Sequence, residues 1–413
     1  MKFGLIGEHL THSFSKEIHS FIGDYSYEIK EIAPENLEAF IKEKNFSGIN
    51  VTIPYKEAVI PYLDYVDERA LEIGAVNTVV NKHGKLYGYN TDYYGMKALI
   101  ERAQIEIKGK TVLIIGTGGT SKTAHKVLGD MGAAKILFVS YREVKGACTY
   151  DEIYRDFSDK IDVIINTSPV GMYPKNEGMP IDITRFTKLS GLVDVIYNPL
   201  RTNLVQTAEK MHIKSTNGLY MLSAQAVFAA EYFGLCKAEE KLCENVYLSA
   251  LDKKDNIVLI GMPSCGKSSI GKLLAEKTGK TLVDTDEEIV KKIGMDIKSF
   301  FNTHSEAEFR LIESQITEEI SKGNNRIIAT GGGIILNYDN IRRLKQNGTV
   351  YFIDRSLELL QSTLDRPLSS SREALEKRYN ERYSIYTDVA DKRVNGDKTV
   401  QEVAELILKE RRK

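Results

Sequence analysis

Two glycine-rich stretches in this chain have the residue types and spacing to hold phosphate groups. They are Gly116-Thr117-Gly118-Gly119-Thr120-Ser121 and Gly261-Met262-Pro263-Ser264-Cys265-Gly266-Lys267-Ser268. Glycine lets backbone N–H groups approach phosphate oxygens, and a helix starting at the loop adds a favourable dipole. The first spacing suits the pyrophosphate of a dinucleotide, with Gly116, Gly118 and Gly119 as the cradle. The second is GxxxxGK[ST] and suits a nucleoside triphosphate. There Gly261 and Gly266 shape the loop, and Lys267 reaches toward the β and γ phosphates. Ser268 is the Mg²⁺ ligand, and Ser269 is a further nucleotide contact. One chain therefore carries two nucleotide chemistries.

The elements around these loops fit that use. Thr111–Ile115 and Ile257–Ile260 read as buried strands that feed the loops. Helices are expected after them, over Lys122–Met131 and Ser268–Thr278. Strand-like and helix-like segments alternate along the whole chain, the pattern of α/β layers on parallel sheets. Further strands are expected near Phe3–Ile6, Tyr27–Ile32, Ile49–Ile53, Ile136–Val139, Val163–Ile165 and Leu192–Val195. Helices are expected from near Asp92, over Met221–Phe233 and over Ala238–Leu251. The charged stretch Leu251–Asn256 reads as a linker between two halves. Ser15 and Asp92 both suit helix N-caps.

Bulk properties narrow the function classes. At 413 residues the chain is long enough for two or three domains. A formal net charge of −1 gives no electrostatic case for nucleic acid or an anionic membrane. No apolar run is long enough for a bilayer span, and the opening Lys2–Gly7 reads as a strand, not a signal peptide. The cysteines (Cys148, Cys236, Cys243 and Cys265) have neither metal spacing nor a disulfide framework, as expected of a cytoplasmic protein. Cys265 reads as a small loop residue, with a redox role as the minor alternative.

Cofactor choice turns on the segment after the second strand of the dinucleotide unit. It is Ser140-Tyr141-Arg142-Glu143. Arg142 suits a ribose 2′-phosphate and favours NADPH, whereas the adjacent Glu143 pulls the other way.

The first half resembles the shikimate dehydrogenase family. The resemblance rests on His12-Ser13-Phe14-Ser15, Asn50-Val51-Thr52-Ile53-Pro54-Tyr55-Lys56, Gly74-Ala75-Val76-Asn77-Thr78 and Asn90-Thr91-Asp92. It continues through Asn166–Met172, Asp194–Pro199 and Gly218–Gln225, in order. It implies that Ser13 and Ser15 hold a substrate carboxylate, and that Thr52, Asn77, Asp92, Tyr197 and Gln225 bind the ring substituents. It also implies a catalytic pair, Lys56 and Asp92, with Gly218 beside the nucleotide. Three positions depart from the family pattern. His9 and Lys16 stand where prolines are usual, and Tyr141 stands where an arginine is usual.

The second half resembles shikimate kinase. The matching residues are Asp284-Thr285-Asp286, Phe309-Arg310-Leu311-Ile312-Glu313, Gly331-Gly332-Gly333, Arg366-Pro367-Leu368 and Arg382-Tyr383-Ser384-Ile385-Tyr386. This resemblance implies that Asp286 orients the accepting hydroxyl and that Asp284 holds Mg²⁺ through water. Arg310 and Arg382 clamp a carboxylate beside the glycine triplet, and Arg366 neutralises the transferred phosphoryl group.

The expected architecture is an α/β substrate domain plus a Rossmann-like NADP domain, followed by a P-loop, NMP-kinase-like α/β domain with a central parallel sheet. The boundaries are 1–251 for the dehydrogenase-like half and 256–413 for the kinase-like half. Within the first, 1–104 plus 219–251 form the substrate subdomain and 105–218 the NADP subdomain. The implied activity is bifunctional. NADPH-dependent reduction of 3-dehydroshikimate to shikimate would be followed by ATP- and Mg²⁺-dependent phosphorylation of shikimate. The alternatives are a quinate/shikimate dehydrogenase joined to the kinase, and a non-catalytic regulatory homologue. The partners expected are small-molecule substrates, with no nucleic acid and no membrane.

Overall fold

The computed structural model describes residues 1–10, 13–360 and 372–411. The chain divides into two compact units, Met1–Leu251 and Asp252–Lys413.

The first unit holds two sheets. One contains β1 (Phe3–Gly7), β2 (Tyr27–Glu31), β3 (Gly48–Val51), β4 (Tyr65–Val66), β5 (Thr78–Lys82) and β6 (Lys85–Tyr89), in the order β2-β1-β3-β5-β6-β4. Alternation along β1 splits its side chains between two cores. Phe3 and Leu5 face one, and Ile6 faces the other. The expectation of parallel strands holds for β2-β1-β3, but β5 runs antiparallel to both β3 and β6. The pairing of β5 with β6 is set by the two-residue turn His83-Gly84, with φ of 53° and 81°. Positive φ at both turn residues matches the twist of a tight hairpin.

The second sheet is wholly parallel. It is made of β7 (Thr111–Ile115), β8 (Lys135–Val139), β9 (Val163–Asn166), β10 (Gly191–Asp194) and β11 (Lys214–Thr216), ordered β11-β10-β9-β7-β8. Val112 and Ile114 join one core, while Leu113 and Ile115 join the opposite one. A strand covered on both faces reads as a continuous apolar run, as this one does. The chain leaves β7 toward β8 on one side and returns to β9 on the other. That reversal opens a crevice at the carboxyl end of β7, where the first glycine loop sits.

The second unit has one parallel sheet. It contains β12 (Asn256–Ile260), β13 (Thr281–Asp284), β14 (Arg326–Ala329), β15 (Gly348–Asp354) and β16 (Lys392–Asn395), ordered β13-β14-β12-β15-β16. Asp284 and the glycine triplet lie at the carboxyl ends of β13 and β14, beside the P-loop that follows β12.

Two local expectations are corrected. The division between the units falls inside the stretch Leu251–Asn256, as expected of a linker, but the stretch is not an open loop. The helix Glu240–Lys254 runs through it, and β12 starts at Asn256. Some of its polar groups are engaged from far along the chain. Lys280 Nζ, with no side-chain exposure, donates to the carbonyls of Asp252 and Asp255, and Arg411 pairs with Asp252 at 3.0 Å. A cation on the last carbonyls of a helix stabilises its end.

The second correction concerns caps. The helix Thr91–Arg102 is capped by Asn90, whose side chain accepts from Tyr93 N at 3.1 Å, and not by Asp92. Ser15 is the first residue of its helix, which has no side-chain cap. Because Asn90 takes the capping role, the Asp92 carboxylate is available for another partner.

Candidate active sites

In the first unit a cavity of about 600 Å³ gathers residues from distant parts of the sequence. Ser13, Ser15, Thr52, Lys56, Asn77, Asp92, Tyr197, Gly218 and Gln225 all line it. So does Thr120 of the first glycine loop, which brings the nucleotide crevice and the polar cavity together. His9 lines it as well, where the family pattern has proline.

At its centre Lys56 Nζ donates to Asp92 Oδ2 at 2.6 Å. Lys56 stands on the short helix Tyr55–Ala58 that follows β3, and Asp92 on the first turn of Thr91–Arg102. Both side chains are largely enclosed, at 19% and 12% exposure, so water screens the pair little. Asn77 Oδ1 accepts from Thr91 N at 2.7 Å, and Gln225 Nε2 donates to Leu222 O at 3.0 Å. Gly218 is needed for packing, since a Cβ there would lie 1.9 Å from Val195 O.

The dinucleotide cradle is open where a ligand needs room. Gly116 has φ of 104°, and Gly118 is the N-cap position of the helix Gly119–Asp130. A Cβ at Gly118 or Gly119 would meet no protein atom within 4 Å, so space for a pyrophosphate exists there. Arg142 lies apart from the large cavity. It lines a smaller depression with Ser140, Lys145 and Thr149. Lys145 escaped the sequence reading, although its spacing from Arg142 was visible. Tyr141 turns its ring onto Tyr150 at 4.4 Å and donates to Pro180 O at 3.2 Å.

Asp194 joins the two regions. It is fully buried and accepts from Thr202 Oγ1 at 2.7 Å, Asn166 Nδ2 at 3.0 Å and Ile196 N at 3.1 Å. These bonds brace the turn that carries Tyr197. Burial pushes its carboxyl up to about 6, against the pull of those three donors. Between pH 4 and 6 the folded chain therefore holds more protons at this site than the unfolded chain. Its contribution to stability falls as pH rises through that window, by about 2 to 3 kcal/mol. The stability gap between wild type and Asp194→Asn should shift toward wild type at pH 4 relative to pH 7. Hydrogen exchange of the β9 and β10 amides measures it, and a pH-independent gap would contradict the assignment.

In the second unit Lys267 is buried and folds back on its own loop, donating to Gly261 O and Met262 O at 2.9 Å each. Cys265 is buried beneath it, with Sγ 3.6 Å from Lys267 Nζ. Ser268 Oγ donates to Asp284 Oδ2 at 2.7 Å, a pair of hard oxygen ligands suited to Mg²⁺. Asp284 Oδ1 accepts from Asp286 N at 3.0 Å and so caps the helix Thr285–Ile293.

The acceptor side converges on the glycine triplet. A Cβ at Gly331 would lie 2.6 Å from Asp286 Oδ1, and one at Gly333 would lie 2.3 Å from Arg310 Nη1. Arg382 Nη1 donates to Gly332 O at 3.0 Å. Asp286, Arg310, Arg382 and all three glycines thus surround one small region. Ser269 continues the helix Lys267–Thr278. Arg366, with Pro367 and Leu368, lies outside the described residues, as does His12.

Three further side chains, Glu306, Glu313 and Arg378, had no role assigned from the sequence, although Glu313 falls in a matching motif. Glu313 is buried and holds Arg310 Nη1 at 2.8 Å, while Glu306 holds Nη2 at 2.9 Å. Burial raises the Glu313 carboxyl, opposed by Arg310. The spacing of three and four residues around Arg310 was the available signal. Arg378, one turn before Arg382, is held below the ordinary guanidinium value by burial and by Arg382.

The folds and sites together define a nicotinamide-dependent oxidoreductase unit followed by a P-loop kinase unit. The shikimate dehydrogenase substrate binding domain matches residues 5–79, and the shikimate kinase family matches residues 263–412. The chain is 38% identical over 260 residues to a Clostridium beijerinckii protein named shikimate dehydrogenase (NADP(+)), covering 59% of this chain and 96% of that one. A Halothermothrix orenii protein of the same name is 41% identical over 268 residues, covering 57% and 91%. Among solved structures, shikimate dehydrogenase 1 of Peptoclostridium difficile matches with a TM-score of 0.55 and 35% identity, over 60% of this chain and 97% of that one. A chorismate mutase/shikimate 5-dehydrogenase fusion protein of Clostridium acetobutylicum matches with a TM-score of 0.56 and 34% identity, over 59% and 95%. The chain belongs to the shikimate dehydrogenase family, and its carboxyl-terminal unit is a shikimate kinase domain. Among the described residues no helix is long and apolar enough to cross a membrane.

Proposed function

We propose that this chain is a bifunctional enzyme of aromatic amino-acid biosynthesis. Its first unit, residues 1–251, reduces 3-dehydroshikimate to shikimate with NADPH, and its second, residues 256–413, converts shikimate to shikimate 3-phosphate with ATP. Within the first unit, residues 1–104 and 219–251 form the substrate subdomain and 105–218 the nucleotide subdomain. The observation that carries the reading is the enclosed Lys56–Asp92 pair, in a cavity shared by the polar residues and the first glycine loop. The setting we infer is the cytoplasm, where NADPH and ATP are supplied.

NADPH supplies the hydride for the ketone carbon. Lys56 then stabilises the developing alkoxide and gives it a proton from Nζ, while Asp92 orients the ammonium. Ser13 and Ser15 bind the carboxylate. Thr52, Asn77, Tyr197 and Gln225 hold the ring substituents.

In the second unit Arg310, held by Glu306 and Glu313, and Arg382 bind the shikimate carboxylate through their guanidinium N–H groups. Asp286 orients the 3-hydroxyl and accepts its proton. Lys267 and Arg366 neutralise phosphoryl oxygens, and Ser268 and Asp284 would hold Mg²⁺, which screens the phosphate charge when bound.

A second reading, with NAD and quinate in the first unit, is favoured by one feature. Glu143 flanks Arg142, and Tyr141 occupies the place of the family arginine. The test measures turnover of 3-dehydroshikimate, shikimate and quinate with each nicotinamide. NADPH should support reduction of 3-dehydroshikimate more than about 10-fold better than NADH, and Arg142→Ala should remove most of that preference. Preference for NADH and quinate would establish the second reading. No turnover with any combination would refute both and leave the regulatory alternative.

A further inference from the structure

We propose that Thr78, with Tyr27, Asn50 and Thr91, forms a positioning network that holds the amides of Asn77 and Gln225 as hydrogen-bond donors toward the substrate. The inference rests on the dehydrogenase reading of this cavity. Asn77 and Gln225 line the cavity, as do Tyr27 and Asn50 of the relay, whereas Thr78 and Thr91 are fully buried behind it.

The direction of each bond follows from groups that can act in only one way. The carbonyl of Asn77 only accepts, and Asn50 Nδ2 lies 3.3 Å from it. Asn50 must therefore present nitrogen on that side and Oδ1 on the other, where Tyr27 OH donates to it at 2.8 Å. The same Nδ2 lies 3.1 Å from Thr78 Oγ1, so Thr78 accepts from Asn50. Thr78 then donates onward, to Asn77 Oδ1 at 3.2 Å or to Thr91 Oγ1 at 3.1 Å.

Two backbone groups orient the amides themselves. Thr91 N only donates, and it meets Asn77 Oδ1 at 2.7 Å. That turns the oxygen into the protein and leaves Nδ2 for the cavity. The carbonyl of Leu222 only accepts, and it takes Gln225 Nε2 at 3.0 Å. The single hydroxyl hydrogen of Thr91 is shared between two acceptors, Asn77 Oδ1 at 3.2 Å and Gln225 Oε1 at 3.4 Å, and the second Nε2 hydrogen of Gln225 remains for the substrate.

The far end of the relay is rigid. His19 stacks on Tyr27 with centroids 3.7 Å apart and planes 12° from parallel, and its Nδ1 meets Tyr25 OH at 2.6 Å. The cavity wall at Asn77 and Gln225 therefore presents N–H groups and no amide carbonyl. A ketone oxygen can only accept, so this lining suits it. A flipped amide would set oxygen against oxygen and leave a buried acceptor unpaired.

The decisive variant is Thr78→Val, which keeps the shape and removes the relay hydroxyl at a residue that does not line the cavity. We expect its KM for 3-dehydroshikimate and for shikimate in the first reaction to rise about 5- to 20-fold. Its kcat should stay within about threefold, with the KM for the nicotinamide nucleotide unchanged. Thr78→Ser should restore the wild-type KM. The kinase KM for shikimate, measured on the same preparations, should not move. Wild-type turnover together with an unchanged KM in Thr78→Val would overturn the network alone. So would a lowered kcat at constant KM, the sign of a reduced folded fraction, or a failure of Thr78→Ser to rescue. A wild-type chain that turns over no shikimate would overturn the network and the functional reading together.

Discussion

Replacing Lys56 by alanine should lower NADPH-dependent reduction of 3-dehydroshikimate by about 10³-fold or more while kinase activity stays within about twofold. The size follows from two roles in one side chain. Proton transfer by a positioned group contributes about 10²- to 10⁴-fold, and loss of one donor to a developing oxyanion costs about 10²- to 10³-fold. The two overlap in Lys56, so their product is an upper limit. The Lys56 ammonium lies 2.6 Å from Asp92 Oδ2 in an enclosed cavity, and among the residues lining that cavity it is the lysine. Lys56→Arg should not rescue, because a guanidinium does not release its proton at working pH. Steady-state rates on the full chain, with both activities measured on one preparation, give the answer. Residual reduction above about a tenth of wild type would remove Lys56 from the chemistry.

Replacing Lys267 by alanine should have the converse effect, a loss of phosphoryl transfer by about 10³-fold with the dehydrogenase reaction unchanged. Lys267 is the buried cation of a loop whose backbone otherwise supplies only N–H dipoles to the phosphates. It also braces the loop through the carbonyls of Gly261 and Met262, so truncation has a structural component. Lys267→Met separates the packing of the side chain from its charge and its two donations. It retains most of the side-chain volume, so it should be as inactive as alanine while melting at a higher temperature than the alanine variant. A Lys267→Met chain with near-normal phosphoryl transfer would exclude a role for the charge. Parallel loss of both activities in either variant would show that the reactions do not use separate machinery.

Much of the site was legible because its residues fall in short local motifs. A strand, a glycine turn and a helix lie next to one another in sequence, so the order Thr111–Ile115, Gly116–Ser121 and Gly119–Asp130 could be anticipated from apolar pattern and glycine spacing. The hairpin Thr78–Tyr89 was passed over, although His83-Gly84 is its turn signal. The charged stretch Leu251–Asn256 does hold the boundary between the units, but its local structure was not legible, for a different reason. Sequence pattern treats a charge as exposed by default, but Lys280 and Arg411 reach it from positions far along the chain. Asp92 was likewise expected as a cap, because local spacing cannot show that Asn90 already does that work.

Read alone, the amino-acid sequence determined the two phosphate loops, with Lys267, and the alternation of strands and helices. Those are properties of residue type and short-range spacing, which backbone sterics and helix periodicity translate directly into local structure. Lys56, Asp92, Asp286, Arg310 and Arg382, by contrast, were named as candidates by the family resemblance of the short motifs that hold them. The tertiary structure decided what those residues touch. It set Lys56 against Asp92 across 36 positions of chain, and it linked Thr91 to Gln225 across 134. It also turned the amides of Asn77 and Gln225 through bonds to backbone groups, and paired Arg310 with the buried Glu313. Such contacts depend on how sheets and helices pack, and the packing rests on many small apolar burials summed over each unit. Residue spacing carries no direct record of that sum, so the direction of each buried hydrogen bond emerged only when the elements were in place.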